Sequence, residues 1–436
     1  MQRVVKFITL GCKVNQYETN AMAQKFLEKG YKVIEEYEQN GEKPDICIIN
    51  TCTVTNMSDR KSRQMLRREK ENNKNVIVVA VGCYAQVAKN ELNKIPEIDL
   101  VLGNNEKVDI VKYVEDYINE NENNIEIEDV MQSRLFSDFG DITFTEKTRA
   151  VVKIQDGCDR FCSYCIIPYA RGRVRSRKPK SIISEITKIA EKDIKEVVIT
   201  GIHIASYGKD FKEEYKLIDL LEEINKIDGI ERIRLGSIEP LLITDEFVER
   251  LKKLDKICHH FHLSLQSGCD ETLKRMNRRY TTEQFREIVK RLRNAYNDVN
   301  LTTDIIVGFP GETEEEFEKT YHFLDEIKFY KMHVFKYSQR KGTKAAVMQN
   351  QIPGDIKELR SRRLIELSNK NEFEINQKYI GKKVEVLFEE EKEGVFKGHT
   401  ANYILVYCND EKENLSNKIQ EVECIQNLND HILAKC

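Results

Sequence analysis

The 436-residue chain has no apolar run approaching the ~18–20 residues of a membrane-spanning helix, so no helical span is expected. It also lacks net charge. Seventy Lys and Arg stand against 73 Asp and Glu, leaving −3. No global basic field draws it to nucleic acid, and any such contact must use local patches. Seven prolines and 20 glycines exclude a collagenous chain, and 40% hydrophobic against 33% charged residues excludes disorder throughout. No repeat at a solenoid period is present. The opening Met-Gln-Arg-Val-Val-Lys-Phe-Ile-Thr-Leu alternates charged and apolar residues, which reads as a strand and not as a signal peptide. That points to the cytoplasm, where thiols stay reduced. Twelve cysteines in such a compartment need an explanation other than disulfides.

At ~100–200 residues per domain, the length predicts two to four domains. The expected fold is a multidomain α/β protein. Residues 1–115 alternate short β-branched runs (4–10, 45–51, 76–81) with helix-period stretches (17–29, 58–69), the pattern of a parallel sheet covered by helices. Residues 116–143 contain the polar run 119–124 and read as a linker or loosely packed crossing. Residues 144–374 carry six strand candidates (150–155, 196–200, 232–235, 260–265, 301–307, 332–337) with helices between them. Eight such units close a barrel, so six suggest a partial (β/α)6 barrel. A charged helix is expected over 355–378. Residues 375–436 then turn to short strands at 383–388, 393–399, 403–408 and 418–423, a small all-β barrel.

Cys158, Cys162 and Cys165 stand in Gly157-Cys-Asp-Arg-Phe-Cys-Ser-Tyr-Cys165. Thiolates are the ligands of iron–sulfur clusters, normally four for a 4Fe–4S cube. Three within eight residues, with no fourth nearby, leave one iron open to a substrate or cofactor. A structural zinc site instead wants four closed ligands. The triad follows the first strand of the expected barrel, at the end where such sheets place their sites.

This segment resembles the signature of the radical S-adenosylmethionine (SAM) superfamily. The resemblance implies a 4Fe–4S cluster whose open iron binds SAM, and reductive cleavage of SAM to a 5′-deoxyadenosyl radical. The remaining strand ends would then face an adenosyl cofactor: Thr200-Gly-Ile-His203, Gly236-Ser-Ile-Glu239, Gln266-Ser-Gly268 and Gly308-Phe-Pro-Gly311. His203, Ser237, Glu239 and Gln266 are the candidate SAM contacts. No residue stands out as a general base; Asp156, Tyr164 and Glu239 are candidates for positioning.

A second set is dispersed in sequence. Cys12, Cys52 and Cys83 each follow an expected strand, after Thr9-Leu-Gly, Asn50-Thr and Val81-Gly. Strand ends of a parallel sheet converge on one edge, so the three can meet as one ligand set; the alternative is three independent loop cysteines. Cys47 lies inside a strand and reads as a small buried hydrophobe. Cys258, Cys269, Cys408, Cys424 and Cys436 show no grouping.

Two three-cysteine sets on two sheets resemble the methylthiotransferase family of radical SAM enzymes over nearly the whole chain. The resemblance implies an auxiliary 4Fe–4S cluster on Cys12, Cys52 and Cys83, a radical cluster on Cys158, Cys162 and Cys165, and a C-terminal TRAM domain. Gly11-Cys-Lys-Val-Asn-Gln-Tyr-Glu-Thr-Asn20, Thr51-Cys-Thr-Val-Thr55 and Tyr169-Ala-Arg-Gly-Arg173 look most like the branch acting on N6-threonylcarbamoyladenosine at tRNA position 37. The implied reaction replaces the C2 hydrogen with a methylthio group. The implied partners are the tRNA anticodon stem-loop, an electron donor and a sulfur source. Isopentenyladenosine in tRNA, a ribosomal protein aspartate, and a non-catalytic iron–sulfur RNA-binding role are the alternatives.

Three basic stretches are candidate RNA contacts. Residues 149–180 hold nine Lys and Arg (149, 153, 160, 171, 173, 175, 177, 178, 180) against Asp156 and Asp159. The others are Arg60, Lys61, Arg63, Arg67, Arg68 and Lys70, and Lys274, Arg275, Arg278 and Arg279. The C-terminal module is acidic and has no arginine, so its RNA contact would fall to Lys382, Lys383, Lys397 and Tyr403.

Overall fold

Runs of Val and Ile bounded by Gly, Asn and Asp set up the strands. A computed structural model describes residues 2–34, 43–120, 127–144, 148–409 and 414–435. Its first sheet holds β1 (Val4–Thr9), β2 (Lys32–Ile34), β3 (Ile46–Thr51), β4 (Ile77–Gly82) and β5 (Leu100–Val101), all parallel, in the order β2-β1-β3-β4-β5. The three expected strands are the central three. The outer two are only three and two residues long, too short for a periodic signal. The helix Lys13–Glu28 buries Tyr17, Met22 and Phe26 on one face of the sheet, and Asn56–Asn72 buries Leu66 on the other.

The second unit contains β6 (Arg149–Asp156), β7 (Arg175–Ser176), β8 (Glu196–Gly201), β9 (Arg232–Leu235), β10 (His260–His262), β11 (Asn300–Val307) and β12 (Lys331–Lys336). Strand order is β7-β6-β8-β9 and β10-β11-β12, linked by parallel bridges Ile233–Ile257 and Ile238–Leu263. The short β7 pairs antiparallel to β6. The other six make the expected parallel wall, which shares one core with the helices around it.

After the helix Gly354–Gln377, the strands β13 (Lys383–Lys392), β14 (Val395–Thr400), β15 (Leu405–Asn409), β16 (Ile419–Asn427) and β17 (Ile432–Lys435) close a barrel in the order β13-β14-β15-β17-β16. The fifth strand was not expected. It bridges β15 and β16, which would otherwise be open edges. This barrel packs under the N-terminal ends of the parallel wall. Arg232 donates to His399 O at 2.9 Å, and Asn300 donates to Asn402 O at 3.0 Å. Tyr403 stacks between His260 and His399, with ring centres 4.4 and 4.7 Å away.

The crossing between the units departs from expectation. The helix Ile110–Glu120 runs beyond residue 116. Residues 121–124 of the polar run, and Cys436, lie outside the described residues. The segment 127–144 has no regular structure but is not loose, because Val130, Phe139 and Ile142 are buried.

An ion network joins the first two units. Glu18, on the helix Lys13–Glu28, accepts from Arg171 at 2.5 Å, Lys153 at 2.7 Å and Lys107 at 2.5 Å. Asp156, the last residue of β6, accepts from Lys153 at 2.6 Å and Arg171 at 3.2 Å. All five groups are buried. Burial alone would favour the neutral acid at Glu18, yet Arg171, Lys107 and Lys153 hold its carboxyl well below the ordinary range. Burial likewise opposes the charge on Asp156, and Lys153, Arg171 and Arg175 outweigh it.

Removing one partner of a buried network leaves uncompensated charge, at a cost of about 3–5 kcal/mol. We therefore expect Glu18→Gln to lower unfolding free energy at pH 7 by that amount in urea denaturation. Depressed carboxylates stabilise the fold above their unfolded values and lose that contribution as pH falls. The wild type should therefore lose stability more steeply than Glu18→Gln below about pH 4.

Candidate functional site

β1, β3 and β4 are neighbours with their C-terminal ends in step: Thr9 pairs with Asn50, and Thr51 with Gly82. Cys12, Cys52 and Cys83 follow these ends and converge on one edge. Gly11 permits the approach. Its φ is +106°, and a Cβ there would lie 2.8 Å from Cys52 Cβ and 3.0 Å from Cys52 Sγ. Asn15 ties the edge together by donating to Leu10 O at 2.7 Å and Thr51 O at 3.1 Å. Cys52 and Cys83 are buried, and Cys12 is exposed at the start of the helix Lys13–Glu28. Burial, with Cys83 next, pushes the Cys52 thiol up to about 11. The positive end of the helix and Arg171 Nε, 3.2 Å from Cys83 Sγ, favour negative charge at this edge.

Cys158, Cys162 and Cys165 occupy the loop after β6. Gly157 turns the chain there at φ +70°, and a Cβ on it would stand 1.8 Å from Arg173 O. The loop is pinned from the far side of the wall: Ser163 N donates to Met276 O at 3.0 Å, and Asn277 donates to Phe161 O at 3.0 Å. Burial raises Cys158 to about 11 and Cys165 to about 12. Arg278 Nη1 lies 3.5 Å from Cys162 Sγ, and its Nη2 binds Glu239 at 3.0 Å. Both triads thus combine three thiols with an arginine at one sulfur, Arg171 fully buried and Arg278 partly so. Thiols raised by burial stay protonated at neutral pH unless a metal displaces the proton. Three converging thiols beside a cation could each hold an anionic iron–sulfur group, with one iron left for another ligand.

A cleft of about 200 Å³ opens between the Cys165 loop and the segment that follows Cys52. Val54 and Thr55, just after Cys52, form one wall; Cys165, Gln266, Asp304 and Tyr337 line the rest. Arg340 clamps its rim. It donates to Thr53 and Asp59 of the first unit, each at 2.6 Å. Asp304 also groups with His262 and His333, the three placing ligand atoms within 4.8 Å of one another. His262 Nε2 is 3.2 Å from Asp304 Oδ2. A larger hollow of about 570 Å³, lined by Tyr207, Phe211 and Tyr215, includes none of the six cysteines.

The candidate cofactor contacts divide. His203 Nε2 lies 3.5 Å from Glu239 Oε2, and Glu239 also meets Arg278 beside Cys162. Burial opposes the charge on Glu239, while His203, Arg278 and Arg160 hold its carboxyl low. Gln266 lines the cleft, and Ser237 is exposed at the end of β9. Tyr164 lines the cleft, whereas Asp156 belongs to the ion network. Cys47 is buried in β3, and Cys408 and Cys424 are buried in the C-terminal barrel.

The basic stretch 149–180 is largely not an RNA surface. Lys153, Arg171, Arg175 and Arg177 are buried, and Arg149 pairs with Glu389 at 2.7 Å. Their counterions, Glu18, Glu185 at 2.5 Å from Arg177, and Asp138 at 2.9 Å, lie outside the stretch, so a charge count over 149–180 does not include them. Arg173, Lys178 and Lys180 remain exposed. Arg275 binds Glu316, and Arg278 belongs to the second triad. In the C-terminal barrel, Lys383 and Lys397 pair with Glu421 and Glu390, and Tyr403 is committed to the junction beneath the wall. Glu18, Asn15, Asn104 and Arg340 were missed. The available signal was Asn15 and Glu18 interrupting the apolar face Val14, Tyr17, Ala21 and Met22 at helical spacing.

A parallel wall with a three-cysteine loop after its first strand defines the radical SAM class. Residues 152–324 match the Radical SAM superfamily, and residues 4–103 match uncharacterized protein family UPF0004. The chain is 43% identical to threonylcarbamoyladenosine tRNA methylthiotransferase MtaB of Bacillus subtilis (strain 168), covering 92% of this chain and 89% of that protein. It is 41% identical to the MtaB protein of Aquifex aeolicus (strain VF5), covering 92% and 95%. It is 38% identical to the tRNA-2-methylthio-N(6)-dimethylallyladenosine synthase of Thermoanaerobacter sp. (strain X514), covering 87% and 81%. The radical SAM methyltransferase TsrM from Kitasatospora setae shares the fold, with a TM-score of 0.59 at 16% identity over 80% of this chain and 77% of that one. The chain belongs to the tRNA methylthiotransferase family of radical SAM enzymes.

Gly157→Ala should cost more than the ~1–2 kcal/mol of a left-handed non-glycine residue, because the Arg173 carbonyl must also move. A lower melting temperature and less bound iron per chain after reconstitution are the expected readouts.

Proposed function

We propose that this protein methylthiolates C2 of N6-threonylcarbamoyladenosine at position 37, in the anticodon stem-loop of tRNA, using two 4Fe–4S clusters and SAM. The observation that carries the reading is the single cleft bounded by the Cys165 loop and the segment after Cys52. The assigned ligands are Cys158, Cys162 and Cys165 for the radical cluster and Cys12, Cys52 and Cys83 for the auxiliary cluster. The thiol chemistry and neighbouring cations of both sites fit such groups. When bound, these groups supply the radical that removes the C2 hydrogen and the sulfur that replaces it.

The protein's own residues do the positioning. Arg278 and Glu239 hold a charged floor beside Cys162, where His203 offers a polar atom to SAM, and Gln266 offers another from the cleft beside Cys165. Ile306 and Tyr337 give the cleft an apolar wall for a flat base, and Asp304 gives it a polar floor. The phosphate backbone is met by exposed Arg60, Lys61 and Arg68 on the helix Asn56–Asn72, which starts at the cleft rim, and by Arg173 and Lys178. An electron donor and a sulfur source complete the cycle. We place the protein in the cytoplasm with its tRNA; no helix among the described residues is long and apolar enough to cross a membrane.

In a strain lacking this protein, nucleoside mass spectrometry of tRNA should show loss of 2-methylthio-N6-threonylcarbamoyladenosine with its precursor retained. Persistence of that nucleoside with loss of the methylthio-isopentenyl product would overturn the substrate assignment. Replacing Cys12, Cys52 and Cys83 together by Ala should remove about half the iron and leave SAM cleavage measurable, since a 4Fe–4S group depends on its thiolates. Replacing Cys158, Cys162 and Cys165 should abolish cleavage; equal loss in both proteins would contradict separate roles.

A further inference from the structure

Arg171 does not serve the RNA, and one carboxylate would have sufficed to neutralise it. Instead it is fully buried and spends every nitrogen. Nη1 meets Glu18 at 2.5 Å and Asp156 at 3.2 Å; Nη2 meets Asn15 Oδ1 at 2.7 Å and Glu18 at 3.0 Å. The remaining Nε–H donates to Cys83 Sγ at 3.2 Å. Asn104 adds a weaker approach, with Nδ2 3.9 Å from the same sulfur and 2.7 Å from Ala170 O, next to Arg171. Among the described residues the surrounding network contains four buried cations, Lys107, Lys153, Arg171 and Arg175, and two carboxylates, Glu18 and Asp156. Buried charge is expensive unless paired. The unmatched positive charge borders the cysteine edge of the first sheet, where a thiolate-bound cluster would be anionic.

We infer that Arg171 tunes the auxiliary cluster: its Nε–H bond to Cys83 and its buried charge raise that cluster's reduction potential. The inference rests on the assignment of Cys12, Cys52 and Cys83 as ligands. Hydrogen bonds to ligand sulfurs and local charge are the levers a protein has on such a potential. Reduction adds negative charge to the cluster, so a fixed donor and cation favour the reduced form. Arg171 also contacts Asp156, two residues before Cys158, so the group that sets one cluster's potential also positions the loop of the other. Arg171 is a positioning residue by this account, since it touches a ligand sulfur and no substrate atom.

The test uses the full-length chain carrying Cys158→Ala, Cys162→Ala and Cys165→Ala, so that only the auxiliary cluster assembles. Its potential is read by mediated redox titration, following the EPR signal of the reduced cluster. Arg171→Gln is expected to lower the potential by at least the equivalent of a tenfold change in the one-electron equilibrium, about 59 mV. Asp156→Asn, which removes a negative charge and leaves the Nε–H bond, should leave it unchanged or raise it. Should Arg171→Gln fail to hold the cluster, Arg171→Lys, which keeps the charge without the Nε donor, is expected to show a smaller drop. A wild-type potential in Arg171→Gln, or in Arg171→Lys where that variant is the one measured, would overturn the inference. So would lowered potentials in both the Arg171 and Asp156 variants, which would mark a merely structural role. A parent protein that binds no cluster would instead overturn the ligand assignment, and the inference with it.

Discussion

The fold depends on charge buried between two units that meet at the helix Lys13–Glu28 and the edge of β6. Glu18 and Asp156 hold Arg171, Lys153 and Lys107 in place, and those contacts join the two cysteine-bearing edges. Apolar packing alone would join the units but would tolerate sliding. Charge-assisted bonds from a planar guanidinium impose direction. Arg340 repeats the arrangement across the cleft, where it reaches Thr53, Asn56 and Asp59 close to Cys52. The first two units are thus tied at two places, at Glu18 and beside Cys52, by arginines of the second unit that are paired with the first.

Each triad has the same composition: three sulfurs, a strand-end turn and an arginine at one sulfur. The chain arrives at it by different routes. Cys158, Cys162 and Cys165 are local, and one loop supplies them all. Cys12, Cys52 and Cys83 are assembled by sheet register, so they depend on β1, β3 and β4 ending in step. That dependence explains why Asn15 and Gly11 are set tightly against the edge, while the loop of the second triad is fastened mainly by backbone bonds to Met276 and Ala345.

The architecture was legible in the sequence because most of its strands are runs rich in Val and Ile bounded by turn residues. β2, β5 and β17 were not, being short or at edges where pattern is weakest. The cysteine sets were legible because spacing and strand ends are local properties. The basic stretch 149–180 was misread for a physical reason: charge in a sequence does not reveal whether a carboxylate from another segment lies opposite. Glu18 and Glu185 do lie opposite, and they turn apparent RNA contacts at Arg171 and Arg177 into interior bonds. Tyr403 was misread similarly, since its stacking partner His260 is remote in sequence. The near-neutral total charge therefore includes cations committed to the interior, as well as those exposed on the helix Asn56–Asn72.

The central claim is that the Glu18–Arg171–Asp156 network sets the separation of the two cysteine sites. Pulsed dipolar EPR on the reduced holoenzyme measures the distance between the two paramagnetic clusters directly. The account predicts one narrow distance in the wild type and a broadened or lengthened distribution in Glu18→Gln. The same narrow distance in both proteins would contradict it.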